Sequence, residues 1–348
     1  MILNNFRRFC PFLFLFFSVG LLPANANSLP VSFCPSKSKE VSYPFPKLLY
    51  PKDTTYFAMY RNRRVQVKII LPKQPLQGMI LLLPGWNLPD VDWLTKTSVC
   101  SKALSRNFGL VFVEMGKSVY MDSFYPSMRR DYQFYPTRTW LWDTVIQPFQ
   151  KYGWFTPGSP SFVMGLSTGA RGALILGIEH SHCFRAVAGL SGDYNPLLDK
   201  KDGLMVNTLG TFEKNEFRWK GTNNISLRRD EITTHLFLAH GENDLIVPIA
   251  QTLDLWNRLN KIKLEKSSID YKKNKNATTV YKAFLLKSVV SKDPKKLCLM
   301  TVKEANHDYQ FWDFAGTKAI DFFAEVNVSI GDKSTIEQRP KSHKKGNK

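Results

Sequence analysis

Three residues, far apart in the chain, have the types and the order that turn a serine into a nucleophile. Ser167 lies in Gly165-Leu166-Ser167-Thr168-Gly169, a G-x-S-x-G pattern between the apolar run Phe162 to Leu166 and the helically spaced apolar residues of Ala170 to Ile178. A strand-to-helix turn that tight leaves room for little beyond glycine two residues either side of the serine. A serine hydroxyl also needs a base to take its proton, and the base needs a carboxylate to orient it. Asp244, four residues beyond His240-Gly241 and before Val247-Pro248, is the expected acid, with Asp193 as runner-up and Glu242 as a solvent-facing neighbour. His307, in Ala305-Asn306-His307-Asp308, is the expected base. Its competitors are worse placed: His180 and His182 follow the far end of the nucleophile helix, His235 starts a strand at the opposite edge, and His343 lies in the tail. His240 reads as a turn residue at a strand end. The order serine, acid, histidine suits acyl transfer through a covalent intermediate.

An oxyanion formed at such a serine needs two backbone N–H donors. The N–H of Thr168 follows the nucleophile directly. The second is expected from the loop Pro84-Gly85-Trp86-Asn87, where Gly85 lets the backbone approach and the N–H of Trp86 is the candidate. Trp86 and Tyr194 are also candidate substrate-binding residues.

The elements that must position these residues follow from the hydrophobic rhythm. Thr54 to Met59 and Val65 to Leu71 predict an antiparallel hairpin around Arg61-Asn62-Arg63-Arg64. Strands are then expected at Met79 to Leu83, Leu110 to Glu114, Phe162 to Leu166, Phe184 to Leu190, Leu236 to Ala239 and Leu297 to Val302. Helices are expected at Val91 to Arg106, Thr137 to Lys151, Ala170 to Ile178, Ile249 to Leu259 and Tyr309 to Ala324. Strands alternating with helices imply right-handed crossovers and an α/β fold, a mainly parallel central sheet with helices on both faces. Two segments interrupt the rhythm. Residues 194–231 are expected to form a cap-like insertion, and the lysine-rich residues 261–295 a second insertion at the rim, away from the serine.

The 348 residues suit one large α/β domain, assigned to 53–330, with extensions. Residues 1–26 carry Arg7 and Arg8, an apolar run from Phe12 to Leu22 and the ending Ala24-Asn25-Ala26, the pattern of a cleaved signal peptide that predicts a secreted or periplasmic protein. Residues 27–52 are an irregular arm and 331–348 a basic tail expected to be disordered. The formal charge of +19 favours peripheral contact with anionic surfaces. It sits largely in lysine-rich loops and the tail without interleaved aromatics, which argues against nucleic acid as a partner. Cys34, Cys100, Cys183 and Cys298 allow three disulfide pairings, and the sequence does not choose among them. Neither cysteine nor histidine spacing matches a metal site, and the chemistry needs no cofactor.

Taken together, Gly165 to Gly169 with Arg171-Gly172-Ala173-Leu174, the run Phe184 to Gly192, His240-Gly241 with Asp244 and Val247-Pro248, and His307 followed by Phe311-Trp312 resemble the esterase D-like branch of the α/β-hydrolases. That branch includes feruloyl and acetyl esterases and mycolyltransferases. The resemblance spans roughly residues 78–325 and implies a serine esterase acting on a small-molecule, glycan or lipid ester, with Ser167, Asp244 and His307 as triad. It also implies that Tyr120, after Gly116-Lys117-Ser118-Val119, faces the substrate. Thr168 and Ala170 depart from the Met and Gly common in the family's turn, and the lysine-rich insertion is not a family feature. Acyl transfer to a sugar or lipid hydroxyl is the alternative enzymatic expectation, and a catalytically idle binding protein on the same fold is the non-enzymatic one.

Overall fold

The structure, a computed structural model, describes residues 54–260, 266–268, 283–290 and 296–337, with side chains for 54–259 and 296–328. The expected signal peptide at 1–26, the arm at 27–52, Cys34 and His343 lie outside the described residues. Ten strands are described: β1 (Thr54–Tyr60), β2 (Arg63–Ile70), β3 (Gly78–Leu83), β4 (Phe108–Val113), β5 (Ser161–Leu166), β6 (Ala186–Leu190), β7 (His235–Gly241), β8 (Lys266–Ser268), β9 (Ala283–Val290) and β10 (Lys296–Val302). They make one sheet in the order β1-β2-β4-β3-β5-β6-β7-β10-β9-β8. From β4 to β10 in that order the neighbours run parallel, while β1, β2, β8 and β9 pair antiparallel at the two margins.

Every residue of β3, β4, β5 and β6 is buried, as a parallel strand covered on both faces requires. The two-residue period of a strand sends Met79, Leu81 and Leu83 to one core and Ile80 and Leu82 to the other. The first core is closed by α4 (Thr168–Glu179), the second by α8 (Tyr309–Glu337) and α2 (Val99–Ser105). A third cluster of Val119, Met121, Met128, Tyr132, Met205, Leu209 and Trp219 lies beneath the insertion at 194–231, which contains α5 (Gly203–Leu209) and α6 (Phe212–Trp219). The backbone N–H groups of Tyr194 and Asn195 donate to Gln251 Oε1, at 3.0 and 2.8 Å, and so anchor this insertion to α7 (Ala250–Asn260).

Four elements differ from the sequence expectation. The helix expected at Val91 to Arg106 is two, α1 (Asp92–Thr95) and α2, because Thr97 Oγ donates to Trp93 O at 2.5 Å and Ser98 turns both N–H and hydroxyl to Asp313 Oδ1 at 2.7 Å. The helix expected at Thr137 to Lys151 begins as α3 (Arg138–Trp140), widens to a π turn over Leu141–Ile146 and tightens to 3-10 over Gln147–Tyr152, where Pro148 contributes no N–H. Within the lysine-rich segment, β9 pairs with β10 and β8 with β9, so its described residues extend the sheet at one margin, where no strand was expected. Helix α8 continues to Glu337, so residues 331–337 of the expected disordered tail are helical. Cys100, Cys183 and Cys298 are buried free thiols, and burial pushes those of Cys100 and Cys298 up to about 12. Among the described residues no helix is long and apolar enough to cross a membrane.

Candidate active site

The turn from β5 into α4 carries Ser167 at φ 54° and ψ −126°, a conformation that a residue with a side chain rarely adopts. The glycines explain why the neighbours tolerate it. A Cβ on Gly165 would lie 2.0 Å from Gly169 O, and one on Gly169 would lie 2.4 Å from Leu83 O. The turn is pinned from the next strand, since Ser167 N–H donates to Leu190 O at 2.8 Å.

His307 sits just before α8, whose start Asp308 caps by accepting from Phe311 N–H at 2.9 Å. Its Nε2 lies 3.0 Å from Ser167 Oγ and its Nδ1 lies 2.7 Å from Asp244 Oδ2. The carboxylate accepts only, so Nδ1 carries the proton and Nε2 is free to accept from the serine. The Trp312 ring stands edge-on to the His307 ring, 4.9 Å between centroids, and donates its own N–H to Ser191 Oγ. Ser167 keeps 8 % of its surface and the His307 side chain 10 %, while the Asp244 side chain has none. A ligand can therefore approach the serine and the imidazole but not the acid.

Asp244 is held by four donors. Oδ1 accepts from Ile246 N–H at 3.0 Å and Val247 N–H at 2.8 Å, and Oδ2 has His307 Nδ1 at 2.7 Å and His240 Nε2 at 3.3 Å. Burial alone would raise its pKa, but the hydrogen bonds from His240 and His307 and from the backbone outweigh burial and hold the carboxyl far below its ordinary value. It is a carboxylate throughout the physiological range. Asp193, the runner-up acid, does not reach His307. It pairs instead with Arg171 Nη2, and that guanidinium also donates to the Asp193 backbone carbonyl at 3.1 Å.

The loop after β3 comes close to the serine, because a Cβ on Gly85 would be 3.0 Å from Ser167 Cβ. Leu88 N–H donates to Gly85 O at 3.1 Å, closing a turn with Trp86 and Asn87 at its centre and Asn87 at φ 56°, a left-handed position that asparagine tolerates. The first N–H groups of α4, that of Thr168 among them, have no partner within the helix. Trp86 is half-buried, with its ring edge-on to Tyr132 at 5.9 Å.

Two expected substrate-binding residues are elsewhere. Tyr120 is fully buried: its ring fills the space beside Gly172 of α4, and its hydroxyl donates to Pro84 O at 2.7 Å. It braces the loop that carries Trp86. Tyr194 is fully buried as well, its ring packed where Gly189 and Gly192 have no side chain. Both glycines would collide with it if they carried a Cβ. Sequence reasoning also missed His240, which is a buried neighbour of Asp244 rather than a turn residue. Its i, i+4 spacing from Asp244 was visible, but its contacts with Val247 and Thr252 were not.

No protein-family model matches the chain, and no curated protein is detectably similar in sequence. Solved structures do match. The fluorophosphonate-binding serine hydrolase FphF of Staphylococcus aureus aligns with a TM-score of 0.54 and 15% identity over 78% of this chain and 97% of its own. This chain has the α/β-hydrolase fold. An S-formylglutathione hydrolase from Agrobacterium tumefaciens aligns with a TM-score of 0.57 and 11% identity over 78% of this chain and 93% of its own. MPT51 of Mycobacterium tuberculosis aligns with a TM-score of 0.56 and 12% identity over 80% and 99%. These neighbours come from the branches to which the sequence resemblance pointed. Ser167 after β5, Asp244 after β7 and His307 after β10 all lie at the carboxyl ends of parallel strands, the edge at which open α/β sheets bind their ligands.

Proposed function

We propose that the chain is a serine hydrolase that cleaves a carboxylic ester through an acyl-enzyme on Ser167. The observation that carries this reading is the continuous relay of Asp244 Oδ2, His307 Nδ1 at 2.7 Å, His307 Nε2 and Ser167 Oγ at 3.0 Å. His307 Nε2 takes the hydroxyl proton as Ser167 Oγ attacks the carbonyl carbon. Asp244 stabilises the imidazolium, and the backbone N–H groups of Trp86 and Thr168 receive the oxyanion. His307 then gives its proton to the leaving alcohol. Water, deprotonated by the same imidazole, attacks the acyl carbonyl, releasing the acid and restoring Ser167.

The serine hydrolases among the structural neighbours, including one that binds fluorophosphonates, support the choice of reaction by shared fold alone. Hydrolysis stands ahead of acyl transfer because Tyr120, the residue implied to face the substrate by the resemblance to mycolyltransferases, supports the Trp86 loop from within the core. The leader pattern at 1–26 supports export of the mature chain, with small-molecule esters as partners. The test is a panel of p-nitrophenyl esters of rising acyl length, assayed with and without a sugar or long-chain alcohol as acceptor. The reading expects turnover on at least the short esters, with free acid as product. Acylated acceptor as the main product would make the protein a transferase, and no turnover on any member would refute the hydrolase reading.

A further inference from the structure

The geometry points to His240 as a positioning residue for the acid of the triad: from inside the core it holds Asp244, and the loop that carries it, in the register His307 needs. This inference rests on the role given to Asp244 in the proposed reaction. His240 lies on β7 and is completely buried. A buried imidazole must satisfy both ring nitrogens, and here the partners fix which one carries the proton. Nε2 lies 2.8 Å from the carbonyl oxygen of Val247, which can only accept, so Nε2 is the protonated nitrogen. Nδ1 lies 2.7 Å from Thr252 Oγ on α7, whose hydroxyl therefore donates to it. Asp244 Oδ2, 3.3 Å from the same Nε2, shares that N–H with the Val247 carbonyl. Thus one ring joins the end of β7, the first turns of α7 and both ends of the segment from Asp244 to Val247.

That segment has little else to hold it. Leu245 is 91% exposed and Ile246 71%, so the two residues between the acid and Val247 bury almost no apolar surface against the protein. Hydrophobic packing, which fixes most loops of a folded domain, is missing here. What remains is polar: Asp244 N–H donating to Gly241 O at 3.3 Å, the N–H groups of Ile246 and Val247 folded onto Oδ1, and the His240 ring drawing Val247 O and Oδ2 toward β7. The His307 bond to Oδ2, at 2.7 Å, uses the remaining direction of that oxygen. Glu242 does not compete for the ring, since it accepts from Thr301 Oγ at 2.9 Å, and the two histidines are the only charged or chargeable partners of Asp244 among the described residues.

If His240 only filled space in the core, an apolar replacement of similar bulk would lower stability and leave the chemistry of each folded molecule unchanged. If it positions Asp244, removing its N–H lets the loop shift and relieves the carboxylate of one donor. More of its charge then falls on the imidazole it faces. His240→Leu, which lacks the N–H, and His240→Gln, whose amide nitrogen can stand near Nε2, separate these outcomes. In His240→Leu, kcat per folded molecule on p-nitrophenyl acetate is expected to fall between about tenfold and a hundredfold with KM little changed, as for a catalytic group displaced by a fraction of an ångström. The acid limb of its kcat/KM profile is expected to move to higher pH, and His240→Gln to recover most of both. Because His240→Leu could fail to fold, Thr252→Val is the second variant: it is nearly isosteric, removes the hydroxyl that orients the ring, and should show the same changes in smaller degree. A readout independent of turnover is the low-field proton resonance of His307 Nδ1–H. It is expected in the wild type and His240→Gln, and shifted or broadened in His240→Leu and Thr252→Val. Unchanged kcat, pH profile and resonance in a folded His240→Leu or, failing that, in Thr252→Val would overturn the inference. A wild type that shows the resonance but no esterase activity would instead refute the proposed reaction, while the resonance comparison still decides the role of His240.

Discussion

Gly169→Ala inserts one methyl group at the most constrained point of the serine turn. Its Cβ would stand 2.4 Å from Leu83 O and 2.5 Å from Pro84 O, the backbone oxygens at the end of β3 and the start of the Trp86 loop. Pro84 O is itself fixed by the buried Tyr120 hydroxyl at 2.7 Å, so the loop cannot yield without straining that bond. To restore an ordinary carbon–oxygen contact the turn and the loop must separate by roughly 1 Å. Overpacking of that kind costs about 1–3 kcal/mol of stability, which a domain of this size survives. Catalysis is more sensitive, because the same separation moves the Trp86 N–H away from the oxyanion site proposed beside Ser167. The expected loss in kcat is about a hundredfold or more, with KM changing far less. The assay is p-nitrophenyl acetate hydrolysis beside a thermal melt. Gly203→Ala serves as control, since a Cβ there meets nothing within 4 Å. Wild-type kcat in a folded Gly169→Ala would refute the claim that the β3 loop and the serine turn are in functional contact.

Other perturbations test separate parts of the account. Asp244→Asn is expected to lower kcat by about 10⁴, because an amide favours the wrong imidazole tautomer at His307. Asp193→Asn leaves the buried Arg171 guanidinium without its charge partner, so it should destabilise the fold, by about 3–5 kcal/mol, yet retain near wild-type activity per folded molecule; rates normalised to the folded fraction decide the ranking. His180 provides a pH test, since burial lowers its pKa from 6.5 to about 4 while Glu179 opposes the shift, and its ring stacks on Trp142 at 3.4 Å. Between those values the unfolded chain binds a proton that the folded chain does not, so this site removes stability as the pH falls from 6.5 toward about 4. Urea midpoints compared at about pH 7 and about pH 4.5 should therefore fall less in His180→Gln than in the wild type.

The serine turn was legible in the sequence because its glycines answer to steric limits that hold wherever the motif forms a strand-to-helix junction. Gly165 and Gly169 have no room for a side chain, and that fact is written in residue types alone. Asp244 and His307 were legible from their place after apolar strands, and the fold brings both within hydrogen-bond reach of the expected partners. Tyr120 and Tyr194 were not, because a tyrosine near a strand end looks the same whether its ring faces a ligand or fills the gap over Gly172 or Gly189. Spacing does not say which. His240 escaped for a related reason: its partners Val247 and Thr252 become neighbours only once the loop has folded back over β7. Strand β9 was obscured by the lysines around it, although its own run Ala283 to Val290 is mostly apolar and pairs with β10.

Covalent labelling tests most directly whether Ser167 is the nucleophile. The purified protein treated with a fluorophosphonate probe, digested and mapped by mass spectrometry should carry the label on Ser167. The hydroxyl of Ser167 sits 3.0 Å from His307 Nε2, so the probe's phosphorus meets an oxygen whose proton already has an acceptor. Ser167→Ala should take no label and lose on the order of 10³-fold or more in ester hydrolysis, while its melting curve stays close to that of the wild type. A label on another residue, an unlabelled wild type, or near wild-type hydrolysis by folded Ser167→Ala would contradict the account.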